Sequence, residues 1–214
     1  MAEQLSFQIT EGGSIPTSPL HIKRCNSPDN FKESRLFVNT NHSYIKWVDR
    51  PSRKLYWLLY ENGKTIGVFG LSSAYSKPKL VQTWMAENDI LFNNLACNIV
   101  FCLAGSTMKN AGSRLLALLR RDAKIWWLER YGDILMGIQT FILPPRTGAI
   151  YKADNWKQIG STTGGITLTT KTLSESEWAK HPEAKRYTFK SGDVRYLLRE
   201  FKETEPKLMF VRKL

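Results

Sequence analysis

Three groups of residues in this chain have the types and spacing to do chemistry. The first is "TGAIYKADNWKQIGSTTGG", residues 147–165, in which Tyr151 stands among basic residues ahead of a Thr/Gly run. A phenol hydroxyl can protonate a leaving group or orient a substrate. A core tyrosine with only its tip at the surface would read the same way. The second is "NTNHSYIKW" (39–47), which collects His42, Tyr44, Lys46 and Trp47. Imidazole titrates near neutrality, so His42 suits a general base, with a structural or solvated histidine as the alternative. The third is "CLAGSTMKNAGSRLL" (102–116). Its small residues allow a ligand close to the backbone, and the free N–H groups at a helix start attract phosphate or pyrophosphate. Arg114 would add charge. The segment lacks the G-x4-G-K-[ST] spacing of a Walker loop, and an ordinary strand-to-helix turn could carry the same letters.

The elements that must position these residues follow from pattern. "KLYWLLY" (54–60) and "KTIGVFG" (64–70) are β-rich runs around Asn62-Gly63, the signature of a tight hairpin. "KLVQTWMAE" (79–87) reads as a strand, and "NIVFCLAG" (98–105) as a buried one. Leu115, Leu116, Leu118, Leu119, Ala123, Trp126 and Trp127 recur at helical spacing, so a helix is expected over 110–130, capped by Asn110 or Ser106 and stopped by Gly132. "DILMGIQTFIL" (133–143) reads as a buried strand ended by Pro144 and Pro145. A short helix over 148–154 and strands near 157, 165–173 and 207–214 complete the chain. The unit from 98 to 143 has the length of a strand–helix–strand crossover, which implies an α/β fold with a mixed central sheet. Residues 1–38, rich in Ser, Pro, Gly and Asn, read as an irregular N-terminal arm.

Composition narrows the function. The formal net charge is +12 over 214 residues, a surplus that attracts polyanions, nucleic acid first among them. A soluble basic protein without such a partner is the alternative. No apolar run is long enough to span a bilayer, and the N-terminus has no basic start or apolar signal core, so a cytoplasmic location and no membrane partner are expected. Cys25, Cys97 and Cys102 are odd in number, and the C-x4-C pair of Cys97 and Cys102 has no histidine nearby, so reduced thiols and no metal site are expected. H-E-x-x-H, D-F-G and G-x-S-x-G are all absent, which disfavours proteases, kinases and α/β hydrolases.

The order strand, small-residue loop, helix, strand, short helix with "YKADNWKQIG" resembles the GNAT N-acyltransferase superfamily. "NAGSRLL" (110–116), "QTFILPP" (139–145), "TGAIYKADNWKQIGSTTGG" and "NHSYIKW" also resemble phage Mom-type DNA-modification proteins and the Druantia A-type domain of bacterial defence systems, over roughly residues 40–165. Gln139 and Leu143 stand where that second family carries acids, so the resemblance implies a neutral site there.

The resemblance implies a GNAT-like domain over 39–214 that transfers a group to a base in DNA, with Tyr151 as the acid or orienting group. His42 and Tyr44 would be its catalytic companions. Gly105, Ser106, Asn110, Gly112, Ser113 and Arg114 would hold an acyl-CoA-like donor. Lys46, Trp47, Gln139, Arg146 and Asn155 would bind the acceptor, and Trp47, Trp84 and Trp156 are candidates for stacking on a base. A non-catalytic nucleic-acid-binding module and a conventional acetyl-CoA N-acetyltransferase are the alternatives. The oligomeric state is open.

Overall fold

In a computed structural model, residues 19–42, 47, 52–75, 78–188 and 192–214 are described. The hairpin forms as its pattern requires. Strand β2 (Lys54–Glu61) and strand β3 (Lys64–Ser73) are antiparallel, and Asn62 and Gly63 both take positive φ in the turn. Strand β4 (Leu95–Leu103) pairs with β3, helix α3 (Ala111–Tyr131) crosses over, and strand β5 (Gly137–Ile142) returns parallel to β4. Helix α4 (Ala149–Ala153), strand β6 (Lys157–Ser161) and strand β10 (Leu208–Lys213) follow, with β10 lying between β5 and β6. Strand β1 (Leu20–Arg24) closes the far edge, giving a seven-stranded sheet in the order β1-β2-β3-β4-β5-β10-β6. The α/β architecture expected from the sequence, a mixed central sheet with a strand–helix–strand core and a short helix, is the one observed.

Helices cover both faces of this sheet. Leu115, Leu116, Leu119, Ala123 and Trp127 of α3 pack on Leu55, Trp57, Phe69, Ala96, Ile138 and Phe210. On the other face Val38 packs with Tyr56, Leu58, Val68 and Val100, while Val81 and Trp84 pack with Leu95, Met209 and Val211. The period-2 alternation of the strands divides Leu55, Trp57 and Leu59 from Tyr56 and Leu58 in this way.

Two stretches differ from expectation. Residues 28–38, read as irregular chain, lie in helix α1 (Pro28–Asn41), and the stretch before them forms β1. A start signal is present: the Ser27 hydroxyl accepts from the Asn30 amide, and Pro28 opens the first turn. Residues 79–87, expected as a strand, are helix α2 (Lys79–Glu87). Val81 and Trp84, three apart, are its buried face, and that spacing is helical.

Residues 162–207 leave the sheet between β6 and β10. Strand β7 (Gly165–Leu173), helix α5 (Glu175–Trp178), strand β8 (Lys185–Thr188) and strand β9 (Val194–Thr204) form a separate three-stranded sheet in the order β7-β9-β8. Its own small cluster of Leu173, Ala184 and Leu198 lies under Trp178 and Tyr196.

Candidate active site

The parallel pair β4–β5 is where the sheet opens. The two strands pair from Leu95↔Gly137 to Asn98↔Thr140, and no further, although β4 runs on to Leu103 and β5 to Ile142. On its other side β4 has a bulge. Val100 pairs with Gly70 and Asn98 with Leu71, which leaves Ile99 as the extra residue. The bulge falls at the point where the pairing of β4 with β5 ends.

Between the parted strands lies a cleft of about 460 Å³. Asn98 to Phe101 and Leu103 form one wall, Thr140 to Ile142 the other, and the loop from Pro145 with α4 closes it. The Ala104 amide bonds to the Ile66 carbonyl, so by alternation Val100 and Cys102 turn their peptide groups to β3, while Phe101 and Leu103 turn theirs to the cleft. A strand edge with open N–H and C=O groups can pair with a linear ligand that carries amides.

The cleft brings together three of the residues singled out from the sequence: His42, Arg146 and Tyr151. Burial, and after it the Arg146 charge, lowers the His42 pKa from its ordinary 6.5, so the imidazole is neutral at neutral pH. Tyr151 donates a hydrogen bond of 2.7 Å to Asn98 Oδ1, and Thr140 Oγ1 donates to the Asn98 carbonyl at 3.1 Å. The Tyr151 ring is packed edge-on by Phe101 and Trp156, with Phe210 stacked beyond. Behind it Asp154, 6% exposed, accepts two bonds of 2.8 Å from Arg120 and one of 2.9 Å from Trp156 Nε1. The segment that carries Tyr151 is therefore tied to α3.

The helix start that was expected to hold a phosphate adjoins this cleft. A Cβ on Gly112 would meet the Ile150 side chain, itself a cleft residue, at 3.1 Å. Asn110 occupies the N-cap position in a left-handed conformation, and neither it nor Ser106 caps α3 as expected. The first-turn amides of α3 thus have no side-chain cap. Ser113 Oγ donates to the Asn110 carbonyl, and Arg114 reaches the Met108 sulfur. Gly105 has φ +77 with open space where a side chain would be. Ser106 is engaged elsewhere. Its hydroxyl donates to Glu61 at 2.5 Å, beside the Thr107 hydroxyl at 2.7 Å and the Thr107 amide at 3.3 Å. Those bonds hold the Glu61 carboxyl below its ordinary 4.5. Gly112 is likewise covered by Ile150.

Several expected acceptor residues are elsewhere. Gln139 is buried on the opposite face from Ile138 and Ile142, and its amide donates to the Tyr75 carbonyl. Asn155 is a positive-φ turn residue whose carbonyl accepts from Arg212. Trp47 leans on Tyr56, with ring centroids 4.3 Å apart, and does not line the cleft. Trp84 and Trp156 are core residues and closed to stacking on a base. Tyr44 and Lys46 lie outside the described residues. The three cysteines are free, buried thiols, and burial pushes Cys25 up to about 11 and Cys97 higher still. Sequence reasoning missed Asn98, Glu61 and the Arg120–Asp154 pair. The one signal for them was Asn98 itself, an amide inside an otherwise apolar strand.

Among the described residues, no three His, Cys, Asp or Glu side chains gather as a metal site, and no helix is long and apolar enough to cross a membrane. No protein-family model matches the chain, and no curated protein matches it in sequence. Among solved structures it is similar to an IAA acetyltransferase from Bacillus cereus, at 14% identity and a TM-score of 0.40, over 91% of this chain and 99% of that one. It is similar to an N-acyl amino acid synthase from uncultured soil microbes, at 11% identity and a TM-score of 0.45, over 92% and 93% of the two chains. It is also similar to the microcin C7 self-immunity acetyltransferase solved with acetyl-CoA and AMP, at 11% identity and a TM-score of 0.40, over 87% and 71%.

Proposed function

We propose that this chain is a GNAT-type acyltransferase, which takes an acyl group from a coenzyme A thioester and gives it to an amino group. The observation that carries the reading is the parting of β4 and β5 beyond Asn98 and Thr140, with the Tyr151 hydroxyl at the floor of the cleft they leave. The open peptide edge at Phe101 and Leu103 suits the two amides of a pantetheine arm, and the uncapped start of α3 suits the pyrophosphate behind it. The thioester supplies an activated carbonyl and a sulfur leaving group.

This chain's residues then have distinct roles. The peptide N–H groups of the open edge face the place where charge builds on the carbonyl oxygen. His42, held neutral, takes the proton of the attacking amine. As the new N–C bond forms and the C–S bond breaks, the electron pair leaves with sulfur, and the Tyr151 hydroxyl gives that sulfur a proton. Isothermal titration with coenzyme A, followed by thiol release from acetyl-CoA in the presence of amines, tests the reading. Absence of coenzyme A binding would sink it.

A second reading refines the acceptor: the amino group of a base in DNA, as in the Mom-type proteins that the sequence resembles. The net charge of +12 supports it, because a phosphate backbone would be drawn to such a surface. The base would have to leave the stack to enter a cleft of this kind. Incubation of DNA with the chain and acyl donor, then mass spectrometry of the nucleosides, tests this acceptor; an unchanged nucleoside profile removes it and leaves the transfer reading in place. If DNA binding persists without turnover and is indifferent to Tyr151→Phe, the non-catalytic module is the better reading.

A further inference from the structure

We propose that Asn98 is a positioning residue of the transfer reaction, whose side-chain amide dictates where the Tyr151 hydroxyl holds its proton. The inference rests on the acyl-transfer reading of the cleft and deepens it.

Asn98 is 4% exposed and stands on the last rung that joins β4 to β5. Its Nδ2 donates to the Gly70 carbonyl at 2.9 Å and to the Val100 carbonyl at 2.8 Å. A carbonyl oxygen only accepts, so turning the amide over would set Oδ1 against two other oxygens. One orientation therefore satisfies the group. It leaves Oδ1 facing Tyr151, and an amide oxygen can only receive, so the phenol is the donor of the 2.7 Å bond. The hydroxyl proton is directed at the floor of the cleft, away from incoming groups.

This arrangement stores a proton without releasing it early. A neutral amide oxygen holds the phenol proton with a bond of ordinary strength, whereas a departing thiolate is a charged and stronger acceptor. Rotation about the phenol C–O bond carries the proton from Oδ1 to sulfur once negative charge appears there. The electron pair of the broken C–S bond receives it, and the phenolate recovers a proton from solvent. The same amide also spans the bulge at Ile99, because its two carbonyl partners, Gly70 and Val100, are the paired residues beside it. A purely structural role for Asn98 is therefore the rival explanation.

Asn98→Ala, alone and combined with Tyr151→Phe, separates the two. The positioning role requires that N98A lower kcat about tenfold, the value of one hydrogen bond, with the donor KM within about twofold, and that N98A in the Y151F background cost less than about twofold. Equal losses in both backgrounds, or a KM that rises as kcat falls, would overturn it. Asn98→Ser removes less packing and carries the same expectation if N98A does not fold. The ζ-carbon NMR resonance of Tyr151, identified by its loss in Y151F, reads the contact without turnover. It is expected to move in the folded N98A or N98S chain, and an unmoved resonance overturns the assignment. Should the wild-type chain fail to bind coenzyme A, the transfer reading falls by that result, while the resonance still reports whether Asn98 holds the hydroxyl.

Discussion

Arg120 grips the buried carboxylate of Asp154 with two hydrogen bonds of 2.8 Å, and that grip decides where Tyr151 stands. Asp154 follows α4 directly and also receives Trp156 Nε1, whose ring lies 5.0 Å from that of Tyr151. Removing one partner of such a pair leaves the other charge without compensation. Asp154→Ala should therefore cost about 3 kcal/mol in urea unfolding. It should also lower kcat, because Tyr151 would no longer be held against Asn98. A D154A chain with unchanged stability would show that the pair does not brace α4.

Tyr151→Phe deletes only the hydroxyl and leaves the ring against Phe101 and Trp156. General-acid groups contribute on the order of 10²- to 10⁴-fold, so kcat should fall within that range while the donor KM changes little. Steady-state kinetics with acetyl-CoA checks this, and a Y151F enzyme of wild-type kcat would remove Tyr151 from the chemistry.

His42 sets an expectation in pH. Burial comes first and the Arg146 charge second in lowering its pKa from 6.5, so the acid limb of kcat/KM should lie below 6.5. The folded chain then binds a proton at His42 less readily than the unfolded chain, and the stability this contributes is lost as pH falls from about 6.5 through the lowered value. Arg146→Ala removes the second cause and should move the acid limb upward. A limb that stays in place in R146A would mean that another group produces it.

Glu61 holds the loop before α3 through Ser106 and Thr107. Its carboxyl is depressed below 4.5, so its contribution to stability is present above 4.5 and is lost as pH falls through the lower folded value. Glu61→Gln places an N–H₂ or a weaker acceptor against two hydroxyl donors and an amide, so the loop should loosen. The expected result is weaker coenzyme A binding by several-fold, with kcat at saturation nearly retained. Calorimetry on E61Q reads the first quantity and initial rates the second; unchanged affinity would show that the loop does not bear on donor binding.

Much of the fold is legible in the sequence because its signals are local. Asn62-Gly63 is a strong signal for a tight turn, the leucine spacing from Leu115 onward is helical, and the strand–helix–strand length suits a crossover. Residues 28–38 and 79–87 depart from expectation because their local signals are weak. Ser27-Pro28 is a helix start without a strong apolar stripe behind it, and α2 announces itself by only two buried residues, Val81 and Trp84.

The amino-acid sequence by itself determined the α/β class, the basic surface and the candidacy of Tyr151, His42 and Arg146, since residue type and spacing carry those properties. Tertiary structure alone decided which candidates meet. His42 closes α1, Arg146 follows β5 and Tyr151 rides on α4, and only the parting of β4 from β5 gathers them around one cleft. It also placed Gln139 on the far face, because a strand side chain changes sides at every residue, and committed Ser106 to Glu61. It gave Asn98 its orientation, because the two carbonyls that fix that amide come from different strands, and no linear spacing encodes their approach.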